Sequence, residues 1–217
     1  MHRVRGLGSR WQKRHYRRYV KDGYDSLLLR NHTLDPNSTF IEIGGHKGEF
    51  ASNVWSLYSP VMHIFEPVNS FMQEIEFKFS GNEKVILHPY GISEEDEFRE
   101  FYLDGVSTGA FSDGNATQVQ FKNCEEVFLK LPKHIDVMMI NIEGGEYELL
   151  KILHKTGFIN RIEVLIIQFH RNAYFDFIRY QRLRVLLKKD FNCSWRYPFV
   201  WEKWVNKHLI SKGNPCY

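Results

Sequence analysis

Ser38-Thr39-Phe40-Ile41-Glu42-Ile43-Gly44-Gly45-His46-Lys47-Gly48 reads as a short buried strand, a tight glycine turn and the start of a helix. Phe40, Ile41 and Ile43 are apolar strand formers. Glu42 falls near the strand's carboxyl end, where α/β sheets bind their ligands. Gly44 and Gly45 permit a turn and a close backbone approach that a side chain would block. Gly48 opens a helix whose first N–H groups point outward. The spacing, acid-x-Gly-x-x-x-Gly, differs from the Gly-x-Gly-x-x-Gly of dinucleotide dehydrogenases. It suits a ligand with an amino-acid end, a nucleoside end and no pyrophosphate, which describes S-adenosyl-L-methionine.

The chain continues in the same grammar. Phe50, Val54 and Leu57 form a helical stripe that Ser59-Pro60 ends. Val61–Phe65 is a second strand, closing on Glu66-Pro67, 24 residues past Glu42. An acid there suits a ribose diol, because a carboxylate accepts two hydrogen bonds. Asn69–Phe79 reads as a helix, Val85–His88 as a third strand, and Pro89-Tyr90-Gly91 as a loop beside the expected adenine, with Tyr90 as a contact. Glu97–Leu103 alternates like a strand, and Asp104–Ala116 reads as an irregular loop over the substrate. Ile135–Asn141 is a continuous apolar run, hence a buried parallel strand. It places Asn141 and Glu143 at the cleft edge, before a helix carrying Tyr147, Leu150 and His154. Arg161–Phe169 is another buried strand with His170 just beyond it; a helix follows, then an antiparallel pair over Phe191–Trp195 and Phe199–Val205. This alternation calls for a doubly wound, mostly parallel sheet covered by helices on both faces.

Bulk properties narrow the function. The 217 residues, 43% hydrophobic and 25% charged, fit one ordinary globular domain. The division expected is a basic extension over 1–37, the core domain over 38–205 and a polar tail over 206–217. No apolar run reaches the roughly 20 residues of a membrane span. Cys124, Cys193 and Cys216 form no metal or disulfide pattern, so a reducing, cytoplasmic setting is expected. Residues 1–21 carry eight Lys or Arg and no acid, leaving 21 basic against 26 acidic residues elsewhere. Such a leader suits a polyanion, and Trp11, Tyr16 and Tyr19 interleave with its charges as in a stacking platform; a solvated extension is the plainer reading.

FIEIGGHKG, HIFEPVNSF, LHPYGIS and IDVMMINIEGGEYELLKIL, in this order, resemble the FkbM family of S-adenosylmethionine-dependent methyltransferases over residues 38–170. The resemblance implies a class I, Rossmann-like fold: a seven-stranded sheet with one antiparallel strand. It also implies O-methylation of a sugar, glycan or other small hydroxylated acceptor. Glu42, Gly44 and Gly48 match the cofactor turn, and Gly45 and Pro67 flank the matched positions; Glu66 matches the ribose acid, and Glu143 and Glu146 match the later acidic motif. Met139 and Asn141 stand where the family usually has Lys and Asp. That departure keeps open a non-catalytic binding module, and the basic leader keeps open a nucleic-acid methyltransferase. His170 is the preferred base for an acceptor hydroxyl, with an unperturbed pKa near 6.5; Glu143 is the next. His46 is expected to meet cofactor or solvent, and His63 and His88 to be structural. Glu143, Glu146 and His170 together resemble a ligand set, but Asn141 weakens it for Mg²⁺, and no metal is assigned.

Overall fold

The computed structural model describes residues 10–23, 28, 34–103, 108–109, 115–173 and 175–209. Its main sheet is built from the apolar runs identified above: β1 (Thr39–Ile43), β2 (Val61–Phe65), β3 (Val85–His88), β8 (Ile135–Ile140), β9 (Ile162–Ile167), β10 (Phe191–Tyr197) and β11 (Trp201–Asn206). Their order across the sheet is β10-β11-β9-β8-β1-β2-β3. β11 is antiparallel to both β9 and β10, and the other pairings are parallel, so β11 is the one reversed strand. Every residue of β9 is buried, and in β8 only Asp136 is partly exposed, as expected of central parallel strands.

Strand alternation divides the core into two layers. Ile41, Ile43, Met138, Ile140, Leu165 and Ile167 face α4 (Cys124–Lys130), α5 (Glu146–Lys155) and α6 (Asp176–Asp190). Phe40, Met62, Ile64, Val137, Met139 and Ile166 face α1 (Arg10–Lys21), α2 (Glu49–Tyr58) and α3 (Asn69–Lys78). Met139 is therefore a core residue of the second layer. A Lys at that position would bring an ammonium into apolar surroundings.

Three expectations need correction. The region from Gly91, where the sequence pattern marks a strand only over Glu97–Leu103, is a second sheet of order β4-β7-β5-β6, formed by β4 (Gly91–Ser93), β5 (Glu97–Leu103), β6 (Thr108–Gly109) and β7 (Asn115–Asn123). The loop expected over Asp104–Ala116 thus contains strand at Thr108–Gly109 and Asn115–Ala116, while 104–107 and 110–114 lie outside the described residues. Val119 and Phe121 of β7 pack on Val68, which anchors this sheet beside the end of β2. Second, the described part of the basic leader, α1, is docked. Tyr19 is buried with its ring edge-on to Tyr197 at 5.4 Å, and the Tyr197 hydroxyl donates to Asp22 at 2.7 Å. Tyr19 is thus spent on packing and offers no stacking surface; the side chain of Trp11 lies outside the described residues. Third, residue 206 is no tail: Asn206 ends β11, is buried, and donates to the Ile162 carbonyl at 3.0 Å. Residues 210–217, Tyr174 and, except for Leu28, the apolar segment expected over 24–30 lie outside the described residues. No described helix is long and apolar enough to cross a membrane.

Candidate active site

The chain leaves β1 towards β2 and β3 on one side, then returns through β8 and β9 on the other. The order reverses between β1 and β8, and a doubly wound sheet opens its ligand crevice at the carboxyl ends of such strands. Glu42, Asn141, Glu66 and His170 all lie at or just beyond those ends.

The glycine turn is wedged into this crevice. Gly44 N and Gly45 N both donate to the Phe65 carbonyl, at 2.9 and 3.0 Å. Gly44 has φ 91°, and a Cβ there would lie 2.1 Å from the Asn141 carbonyl oxygen. A Cβ on Gly45 would lie 2.5 Å from Ile64 Cγ2. The turn therefore requires glycine at both positions. Gly48, at φ 73°, starts α2. The His46 ring packs 4.4 Å from that of Phe71.

Two buried acids meet below the turn. Glu66 accepts from His46 N at 2.7 Å and from Val68 N at 2.9 Å, so it fixes the turn. Burial raises its pKa to about 7 against the pull of those two N–H groups. Glu42 is 3% exposed, and its carboxyl is pushed well above the usual range by burial and then by the Glu66 charge. Among the described residues its Oε2 has no hydrogen-bond partner, and neither has Asn141 Oδ1, just past the end of the adjacent β8. Asn141 is held by its own N–H, which donates to the Ile43 carbonyl at 2.9 Å. Pro67 is half-buried beside Glu66.

A second cluster follows β8 and β9. Glu146 is fully buried; its carboxylate accepts from Gly144 N at 2.8 Å and from His170 N at 2.6 Å. The His170 ring is clamped between two acids, Nδ1 3.4 Å from Glu146 and Nε2 3.6 Å from Glu143. Burial pushes the imidazole pKa down, but Glu146 and then Glu143 outweigh it, and the net shift is upward. Glu143, at φ 51°, is the exposed member, and its carbonyl accepts from Asn172 Nδ2 at 2.9 Å. The acids occupy opposite nitrogens of one ring, so Glu143, Glu146 and His170 do not converge on one metal point. Asn172 was not legible as a site residue, because nothing in its sequence neighbourhood marks it.

Beyond β3, His63 Nδ1 and His88 Nε2 are 3.0 Å apart, and His88 Nδ1 lies 3.0 Å from the Tyr90 hydroxyl. Burial, with His63 and Lys122, pushes His88 down to about 4, so this relay of rings is neutral near pH 7.

These shifts carry a pH signature. A carboxyl raised from 4.5 to about 7 on folding binds its proton more tightly in the folded state. The resulting stability is complete below 4.5 and is lost as pH rises through about 7. Glu42 and His170, also raised, act in the same direction. Urea midpoints measured across this window should fall with rising pH, and Glu66→Gln should flatten the slope. An unchanged slope in that variant would remove Glu66 from the account.

No protein-family model matches this chain, and no curated protein sequence matches it. Solved structures match it in fold. An rRNA methylase from Streptococcus thermophilus is 12% identical, with TM-score 0.51 over 93% of this chain and 99% of its own. A Clostridium thermocellum protein assigned as an rRNA methylase is 10% identical, with TM-score 0.53 over 86% and 96%. A Streptococcus mutans protein assigned as a methyltransferase, solved in complex with S-adenosylhomocysteine, is 10% identical, with TM-score 0.51 over 86% and 97%. The fold is that of the class I, Rossmann-like methyltransferases.

Proposed function

We propose that this chain is an S-adenosylmethionine-dependent methyltransferase of the FkbM kind, acting on a hydroxyl of a sugar, glycan or other small acceptor. The observation that carries the reading is a pair of buried oxygens, Glu42 Oε2 and Asn141 Oδ1, with no partner among the described residues, at a glycine turn on the switch point. A buried polar group without a partner costs about 1–3 kcal/mol, which a hydrogen-bonding ligand recovers. The donor set fits the cofactor. Glu42 and Asn141 suit its ammonium end, Glu66 its ribose hydroxyls and Tyr90 its base. When bound, the cofactor supplies an activated methyl group.

The chain's own residues manage the acceptor proton. Glu143, the exposed acid, takes it from the hydroxyl, and His170 with buried Glu146 behind it stabilises the charge change. His170 is thus a positioning and relay group set back from the substrate. Glu143→Gln is expected to lower kcat by about 10²–10⁴ with cofactor affinity unchanged. His170→Asn should lower kcat less and move the pH profile. The assay is turnover of hydroxylated acceptors with S-adenosylmethionine. Cofactor binding without turnover on any acceptor class would favour the binding-module reading.

The exposed cations of α1, Lys13, Arg14, Arg17, Arg18 and Lys21, favour a second reading, a nucleic-acid acceptor. The structural neighbours assigned to rRNA are compatible with it. Because Tyr19 anchors α1, deleting the helix would disturb packing. Neutralising Lys13, Arg14, Arg17 and Arg18 is the cleaner test. A salt-dependent RNA affinity that collapses in that variant supports this reading, and an unchanged affinity removes it.

A further inference from the structure

Three metal-ligating side chains meet at the opposite end of the sheet from the crevice. Asp136 lies at the amino end of β8, Glu163 at the amino end of β9, and His134 just before β8. His134 Nε2 is 3.5 Å from Asp136 Oδ1 and 3.5 Å from Glu163 Oε2. One ligand atom from each residue falls within 4.8 Å of the others. We propose that His134, Asp136 and Glu163 form a structural binding site for a zinc-class divalent cation.

The chemistry of the set selects that class. Zinc bonds of about 2.0–2.2 Å to imidazole and carboxylate, at tetrahedral angles, separate the ligand atoms by about 3.3–3.5 Å. The two measured separations already match. Mg²⁺ and Ca²⁺ favour all-oxygen shells, whereas an imidazole among two carboxylates suits zinc and its neighbours. Two carboxylates and a neutral imidazole balance a divalent charge, and three protein ligands leave a position for water.

Two further observations support a built site. Glu163 is 2% exposed, an unusual depth for a carboxylate on a protein edge. Its Oε2 lies 3.5 Å from His134 Nε2, so this buried carboxylate is directed at the cluster. The Asp136 carboxylate is also oriented from outside the cluster. Its Oδ2 accepts from Thr39 N at 2.7 Å, leaving Oδ1 towards His134. A bound ion would therefore tie β8 to β9 directly and to β1 through Asp136. Five residue steps along β8, from Asp136 to Asn141, separate it from the crevice, about 16 Å at 3.3 Å per residue, so the effect falls on stability.

The test uses the full chain, stripped with a chelator. It is titrated with Zn²⁺ by calorimetry and with Co²⁺ by visible absorption, and its thermal midpoint is followed with and without Zn²⁺. One ion per chain is expected, with a tetrahedral Co²⁺ spectrum and a midpoint that rises with Zn²⁺. Loss of an outer-sphere partner typically weakens a metal about 10–100-fold, and loss of a direct ligand should exceed that. His134→Ala should therefore abolish both responses. His134 is half exposed, so its metal-free fold should match that of the wild type. Asp136→Asn tests the same site from the strand. The proposal is overturned by absence of stoichiometric binding in the wild type. Binding and a midpoint shift that persist in both variants would place the ion elsewhere and also overturn it.

Discussion

Gly44→Ala is expected to destabilise the fold by roughly 3–5 kcal/mol and to eliminate cofactor binding in whatever fraction remains folded. Two costs add. At φ 91° a side chain is strained wherever it has room. Here it has none, because the new Cβ would stand 2.1 Å from the Asn141 carbonyl oxygen. That oxygen lies just past the end of β8, the strand flanking the crevice, so relieving the clash must part β1 from β8 or lift the turn. Gly81→Ala supplies the control. Gly81 has φ 75° with nothing within 4 Å of an added Cβ, so it should cost only the backbone strain, about 1–2 kcal/mol. Denaturant midpoints and titration with S-adenosylhomocysteine measure both variants. Equal costs for the two would show that the close approach to Asn141 does not constrain the turn.

Glu66→Ala should raise the dissociation constant for S-adenosylhomocysteine at least about tenfold, or 1.4 kcal/mol. The substitution removes the expected partner of the ribose hydroxyls. It also strips the acceptors from His46 N and Val68 N, which loosens the turn that must receive the ligand. Glu66→Gln separates these roles. It keeps one acceptor oxygen but sets its NH2 against the other backbone N–H, so it should loosen the turn less than Glu66→Ala while still binding more weakly. Unchanged affinity in both variants would leave Glu66 as a support for the loop and nothing more.

Much of the fold was legible because its strands are unusually apolar. Runs such as IDVMMI and IEVLII can hardly lie anywhere but the middle of a parallel sheet. The antiparallel pairing of β10 and β11 was legible as a last strand pair, but its insertion beside β9 was not, since hydrophobic pattern does not encode strand order. The second sheet was missed for a physical reason. In β7 the buried residues Val119 and Phe121 sit among Thr117, Gln118, Gln120 and Lys122, so the pattern reads as a polar segment. The docking of α1 was also hidden, because Tyr19 finds its partner Tyr197 far along the chain.

The site divides in the same way. The turn and Glu66 were visible as spacing, and the Glu143–Glu146 motif through the family resemblance. The mutual charge of Glu42 and Glu66, the clamp on His170 and the support from Asn172 depend on which strand ends are neighbours. The His134, Asp136 and Glu163 cluster exists only through the parallel pairing of β8 and β9. His170, expected as an accessible base, is 6% exposed and flanked by two acids that raise its pKa. A rule based on position past a strand end does not foresee that burial.

The central claim is that the crevice at the switch point holds a nucleoside-bearing sulfonium cofactor. Calorimetric titration of the purified, folded chain with S-adenosylmethionine and separately with S-adenosylhomocysteine tests it most directly. The account predicts saturable one-to-one binding of both in the micromolar range, with proton release on binding near pH 7 as the ligand draws Glu66 towards its ionised form. No heat and no binding for either ligand, in a sample shown to be folded, would contradict it.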